Sequence, residues 1–235
     1  MAGFKTHISF SGLLGVGYGG AAFALYDVPL PTALLAGGLC TVSGMLPDVD
    51  SGSGRPLRES MAFAAAVVPM MMVDRFRSLG MSPELMVLAG AGVYLFIRFV
   101  LANVLARYTV HRGMFHSLPA AAIAGELAFL LASGDVRLRI YKAGAVVIGY
   151  VAHLLLDELY SLEWRRGRLT LKRSFGTAMK LYSRSMWANL SAFAKLAILT
   201  YVVTKEPGWM QRRYGQDVRP AIEQTAGRVV ERVVR

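Results

Sequence analysis

Four histidines stand in this 235-residue chain, and each lies beside one end of an apolar stretch. His7 precedes the first such stretch, and His111 and His116 precede another within His-Arg-Gly-Met-Phe-His-Ser. His153 opens His-Leu-Leu-Leu-Asp near the end of a third. His153 and Asp157 are four apart, so on a helix they share a face and reach one ion. Asp48 and Asp50 alternate in Leu-Pro-Asp-Val-Asp-Ser-Gly-Ser-Gly, a sequence of loop character. Imidazole and carboxylate without thiolate form a donor set for zinc first, with manganese or iron as alternatives. The seven candidate ligands are His7, Asp48, Asp50, His111, His116, His153 and Asp157. They exceed the four positions of one tetrahedral ion, and two ions bridged by a carboxylate would use them, so the count suits one ion or two.

Each residue also has a plainer reading. A lone histidine such as His7 is ordinarily a packing or surface residue. Asp48-Val-Asp50 followed by Ser-Gly-Ser-Gly reads equally as a polar turn. His153 and Asp157 could be a hydrogen-bonded pair inside a bundle. The joint pattern favours a site, because every histidine falls near carboxylates on what threading makes one side.

The elements that must position these groups are apolar helices. By composition 54% of the chain is apolar and 17% charged, with a mean hydropathy of +0.43. That composition excludes disorder, and the single cysteine, Cys40, excludes an internal disulfide framework. Residues 8–26 and 28–47 carry no charge and are long enough to span a bilayer. The first has only Lys5 as a charged flank, so it is expected to be retained rather than cleaved as a signal peptide. Stretches 61–73, 85–106, 113–133, 143–156 and 186–204 are shorter or interrupted, and no strand-like alternation or hairpin punctuation stands out. The expectation is an all-α polytopic membrane bundle of about six to seven helices. It divides into a helical domain at 1–160, a basic juxtamembrane segment at 161–185, a further apolar helix at 186–204 and a basic tail at 205–235.

If the first six helices cross in alternating directions, all seven candidate ligands fall on one face. The same threading holds for a soluble bundle, so it supports a shared site rather than insertion. Arg98 and Glu126 lie within apolar stretches roughly 14 Å below that face. A structural ion pair between them is the favoured reading, and an anion-binding Arg98 the alternative. The net charge of +11 is concentrated in stretches flanking apolar helices, which fits lipid headgroups and disfavours nucleic acid.

Leu46-Pro-Asp-Val-Asp, His111-Arg-Gly-Met-Phe-His-Ser and His153-Leu-Leu-Leu-Asp, with a histidine near the N-terminus, resemble the YdjM-like inner-membrane metal-dependent hydrolases over about residues 1–160. The resemblance implies a multi-pass protein of the bacterial inner membrane. It also places the chain near the zinc phospholipase C and single-strand nuclease superfamily, which implies phosphoester hydrolysis. By it His7, Asp48, His111, His116, His153 and Asp157 are metal ligands, and Asp50 a ligand or a base beside them. Phe115 departs from the family pattern, which has Thr before the second histidine.

The resulting expectation is a membrane hydrolase with one or two divalent ions, acting on a phosphoester such as a phospholipid or lipid-linked phosphate through a metal-activated water. Asp50 or Asp157 would be the base, and Arg112 or Arg98 would bind phosphate oxygens. Lys5, Arg55, Arg58, Arg107 and Arg112 on the site side, with the basic stretch from Arg165, outweigh Arg75, Arg77, Arg137, Arg139 and Lys142 opposite. The site is therefore expected to face the cytoplasm. A non-catalytic metal-binding or transport protein, or a membrane scaffold, is the alternative. Oligomeric state is not legible.

Overall fold

The structure is a computed structural model describing residues 3–50, 54–108, 114–165, 168–171, 176, 179–183 and 185–206; the side chains of Asp50, Tyr108 and residues 162–171 lie outside that description. It is a bundle of apolar helices. The elements are α1 (Phe4–Tyr26), α2 (Leu30–Ser43), a 3-10 turn (Leu46–Asp50), α3 (Arg55–Met71), α4 (Val73–Ser78) and α5 (Pro83–Leu95). A π segment (Phe96–Leu101) leads into α6 (Ala102–Tyr108), followed by α7 (Leu118–Leu131), α8 (Val136–Leu159) and α9 (Met186–Lys205). Among the described residues, five helical runs are long and apolar enough to cross a membrane: Phe4–Tyr26, Arg55–Ser78, Pro83–Arg107, Val136–Leu159 and Met186–Lys205.

Local chemistry fixes the boundaries. Asp27 takes a left-handed conformation (φ 53°) and ends α1. The side chains of Ser82, Ser117 and Ser185 accept a backbone N–H at the starts of α5, α7 and α9, each satisfying a donor that the first turn leaves open. Asp135 caps α8 in the same way, through Arg137 N–H. Pro69 sits in the last turn of α3, where its missing N–H breaks the helix before α4 resumes.

Two helices differ from the lengths expected of them. The uncharged stretch 28–47 forms a helix only over Leu30–Ser43, and the stretch 113–133 only over Leu118–Leu131. At 14 residues each they are about 21 Å long, short of the ~30 Å hydrocarbon core. α2 stops because Gly44 and Pro47 favour a turn, and α7 starts late because Ser117 caps it there.

The packing forms two groups. α1, α2 and α8 pack on one another, with α7 on α8 and α9 on α7; α3, α5, the π segment and α6 pack together and meet the first group chiefly through the 3-10 turn. The basic segment holds a short antiparallel ladder, β1 (Leu162–Arg165) with β2 (Arg168–Leu171), pairing Leu162 with Leu171 and Arg165 with Arg168. Four-residue strands are too short to stand out as an alternating pattern in the sequence. The tail from residue 207 onward lies outside the described residues.

The ion pair expected between Arg98 and Glu126 does not form. Arg98 belongs to the second helix group and Glu126 to the first, and Glu126 instead accepts a hydrogen bond from Thr200 Oγ1 of α9 at 2.6 Å. The face opposite the histidines has its own clasp. Glu206 Oε1 bridges Arg75 at 3.0 Å and Arg139 at 3.2 Å. Arg139 is buried, bonds the Phe129 carbonyl through Nε and Nη2, and lies 4.1 Å over the Phe129 ring. This clasp brings the ends of α4 and α9 and the start of α8 together on one face.

Candidate metal centre

The close fit of α2 against α8 begins at Gly149. A Cβ there would run into the Cys40 carbonyl and the Ser43 hydroxyl, so only glycine lets the two backbones approach this nearly. The contact carries the C-terminal end of α2 onto α8. It leaves the Gly44 carbonyl oxygen 2.7 Å from Nδ1 of His153. Gly44 is pressed as closely from the other side, where a Cβ would meet the Ser11 side chain of α1.

His153 is fully buried. A carbonyl oxygen only accepts, so this bond places the imidazole proton on Nδ1 and turns the Nε2 lone pair inward. Nε2 lies 3.6 Å from Asp157 Oδ2 and 3.7 Å from Asp48 Oδ1, and it has no hydrogen-bond partner among the described residues. The His7 ring stacks on His153 at 3.7 Å and 14°, and its Nε2 stands 3.4 Å from Asp157 Oδ1. His116 Nε2 lies 3.5 Å from Asp48 Oδ1 and 3.8 Å from Asp157 Oδ2. Thus α1, the 3-10 turn, the segment before α7 and the last turns of α8 each contribute to one cluster.

The segment carrying His116 is held on both sides. The Tyr150 hydroxyl donates to the Phe115 carbonyl, and the Ser117 hydroxyl donates to the Met114 carbonyl. Leu118 N–H donates to the Lys180 carbonyl at 3.1 Å. Phe115, the departure from the family pattern, therefore serves the site through its backbone oxygen.

These separations decide the chemistry the cluster suits. They exceed the 2.7–3.2 Å of ordinary hydrogen bonds. Donors each ~2.1 Å from a tetrahedral ion stand about 3.4 Å apart, close to the 3.4–3.8 Å found here. His153 Nε2 beside two carboxylate oxygens in a buried site calls for a proton or a cation between them. Two overlapping groups could hold such a cation: His7, Asp48 and His153, and His116, His153 and Asp157, with ligand atoms inside 4.8 Å in each. The residues present therefore fit a divalent ion. Asp48 is the most exposed of the five, at 20% of its side chain. Burial alone raises its carboxyl, but the approach of His116 and the nearby His153 and His7 outweigh it and hold it below the usual carboxylate range.

Of the seven sequence candidates, His7, Asp48, His116, His153 and Asp157 come together. His111 lies outside the described residues, as does Arg112, and so does the side chain of Asp50, whose backbone closes the 3-10 turn. Sequence reasoning missed the Gly44 carbonyl and the Tyr150 hydroxyl. Tyr150 did leave a signal: with His153 and Asp157 it makes one helical stripe at three- and four-residue spacing.

Residues 1–203 match the family described as YdjM inner membrane protein. No curated protein and no solved structure matches the chain. A family match over most of the sequence, together with five apolar helical runs of membrane-spanning length among the described residues, establishes that this chain belongs to the YdjM family of inner membrane proteins.

Proposed function

We propose that this chain is a membrane-bound, metal-dependent hydrolase acting on a phosphoester, with a phospholipid or lipid-linked phosphate as substrate and the site facing the cytoplasm. The observation carrying the reading is the convergence of three imidazoles and two carboxylates at 3.4–3.8 Å. His7, Asp48, His116, His153 and Asp157 would hold one or two divalent ions, zinc first, with His111 and Asp50 as further candidates. Such an ion, when bound, supplies Lewis acidity toward a phosphoryl oxygen and an attacking water.

The protein's own groups have distinct tasks. The Gly44 carbonyl keeps the His153 proton on Nδ1, so the Nε2 lone pair stays available to a metal ion. Asp157 faces His7, His116 and His153 and serves as a ligand rather than the base. The base is then Asp50, two residues beyond Asp48. Arg112, next to His111, binds the phosphate oxygens. The cytoplasmic orientation is supported by Lys5, Arg55, Arg58, Arg107 and Arg112 with the basic stretch from Arg165 on the site side, against Arg75, Arg77, Arg137, Arg139 and Lys142 on the other.

The test is elemental analysis of detergent-purified wild type beside the His153→Ala, Asp157→Ala double variant, followed by a phosphoester panel. One or two equivalents of metal, lost in the variant, with turnover of a phosphoester, is the expected result. Metal without turnover of any ester points to a binding or transport protein. No stoichiometric metal after reconstitution leaves the scaffold.

A further inference from the structure

Beside the cluster, a cleft of about 460 Å³ runs between the two helix groups. Its site end belongs to the segments that carry the cluster. Leu46 and Val49 bracket Asp48, Phe115 precedes His116, and Tyr150 lies one turn before His153. One wall comes from Met61 of α3 and Leu105 of α6. The other comes from Ile123, Ala124 and Leu127 of α7, with Ala188, Ala192 and Lys195 of α9. Alanines on the facing sides of α7 and α9 leave its width. Leu127, 44% exposed, marks where the cleft opens to the outside of the bundle.

The lining is almost wholly apolar, and Lys195 adds its aliphatic stem. From Ala120 to Leu127 the cleft follows α7 for about 10 Å, roughly a third of the ~30 Å hydrocarbon core. Its volume is that of a ligand site rather than a packing defect. In an inner membrane protein the medium at its mouth is lipid. A water-soluble phosphoester would gain nothing from such a wall, whereas a lipid gains burial along its chain while its head remains at the polar end.

We infer that this cleft holds one hydrocarbon chain of a membrane phospholipid whose phosphate meets the His–Asp cluster. The inference rests on the phosphoester reading and names its substrate class. The chain lies between α6 and α9, sideways from the bilayer, and the cluster stands where chain gives way to headgroup.

The test is photolabelling in nanodiscs with a phosphatidic acid carrying a diazirine at the end of one acyl chain. Label is expected mainly on residues 114–127 and 186–195, displaced by unlabelled phosphatidic acid and not by the diacylglycerol of the same chains. Ala188→Trp, which fills the cleft, is expected to cut that labelling at least fivefold with metal content unchanged. Ser191 lines the exposed rim of the cleft, so Ser191→Phe repeats the test should the first variant misfold, and Val87→Trp on the outer face of α5 is the silent control. Even labelling of all outward helices, labelling indifferent to both fillers, displacement by the diacylglycerol, or crosslinks joining two copies across these residues overturns the inference. Labelling needs no turnover, so the two readings fail separately. Absent hydrolysis with the pattern intact removes the reaction and leaves the cleft; hydrolysis with even labelling does the reverse.

Discussion

His153 on α8 donates its Nδ1 proton to the carbonyl oxygen of Gly44, a bond of 2.7 Å between residues 109 apart in sequence. It ties the orientation of a buried imidazole to the spot where α2 ends. Gly44 can occupy that spot only because it lacks a Cβ, which would strike Ser11. Gly44→Ala is therefore expected to displace the carbonyl and lower metal affinity about 10–100-fold, the usual cost of losing an outer partner of a ligating histidine. Adding Ser11→Gly removes the obstructing atoms and should restore affinity, read by chelator competition.

Gly149 works at the same contact from the other helix. Gly149→Ala drives a methyl into the Cys40 carbonyl and the Ser43 hydroxyl. Overpacking of this kind costs about 1–3 kcal/mol. The expected readout is a lowered Tm in detergent, with part of the metal lost because the same contact seats Gly44.

Metal removal should destabilise the fold as well as the site. A ligand at a hundredfold excess over its Kd adds about 2.7 kcal/mol to the state that binds it. Chelation is expected to lower the Tm of the wild type. It should have little effect on the His153→Ala, Asp157→Ala variant, compared by thermal scans with and without chelator.

Acid sensitivity should pass through Asp48. Its folded carboxyl titrates below the ordinary carboxylate range because the approach of His116, with His153 and His7 nearby, outweighs burial. A depressed carboxyl contributes stability above its unfolded pKa of about 4, and that contribution fades as pH falls through the folded value. In metal-stripped protein Asp48→Asn is therefore expected to flatten the loss of stability below about pH 4. An unchanged acid limb in denaturation against pH would refute this.

The clasp at the far face separates folding from chemistry. Glu206→Ala leaves Arg75 and the buried Arg139 without their shared carboxylate. A loss of about 1–3 kcal/mol is expected, below the cost of breaking a fully buried pair because Arg75 is part-exposed. Metal content should not change, since Glu206 lies on the face opposite the histidines.

Much of this was legible in the residues. The i, i+4 pair His153 and Asp157, Asp48 in its loop, and the flanking positions of His7 and His116 foretold a common face, since helix ends alternate in a threaded bundle. Other features were hidden for physical reasons. The Gly44 carbonyl is backbone, and no residue type announces it. The shortening of α2 turns on a glycine and a proline inside a run that hydropathy alone reads as one span. The Arg98–Glu126 pair was inferred from depth, and depth fixes height along a helix but not which neighbour it faces.

The shortness of α2 and α7 has a consequence for how water reaches the cluster. Both helices stop about 9 Å short of the hydrocarbon thickness that their neighbours cross. α2 runs on into the turn bearing Asp48, and the segment bearing His116 leads into α7. Polar backbone at that depth is expected to hold lipid tails back and let the bilayer thin there. If the proposed hydrolysis takes place at the cluster, water would then reach it without a channel through the bundle.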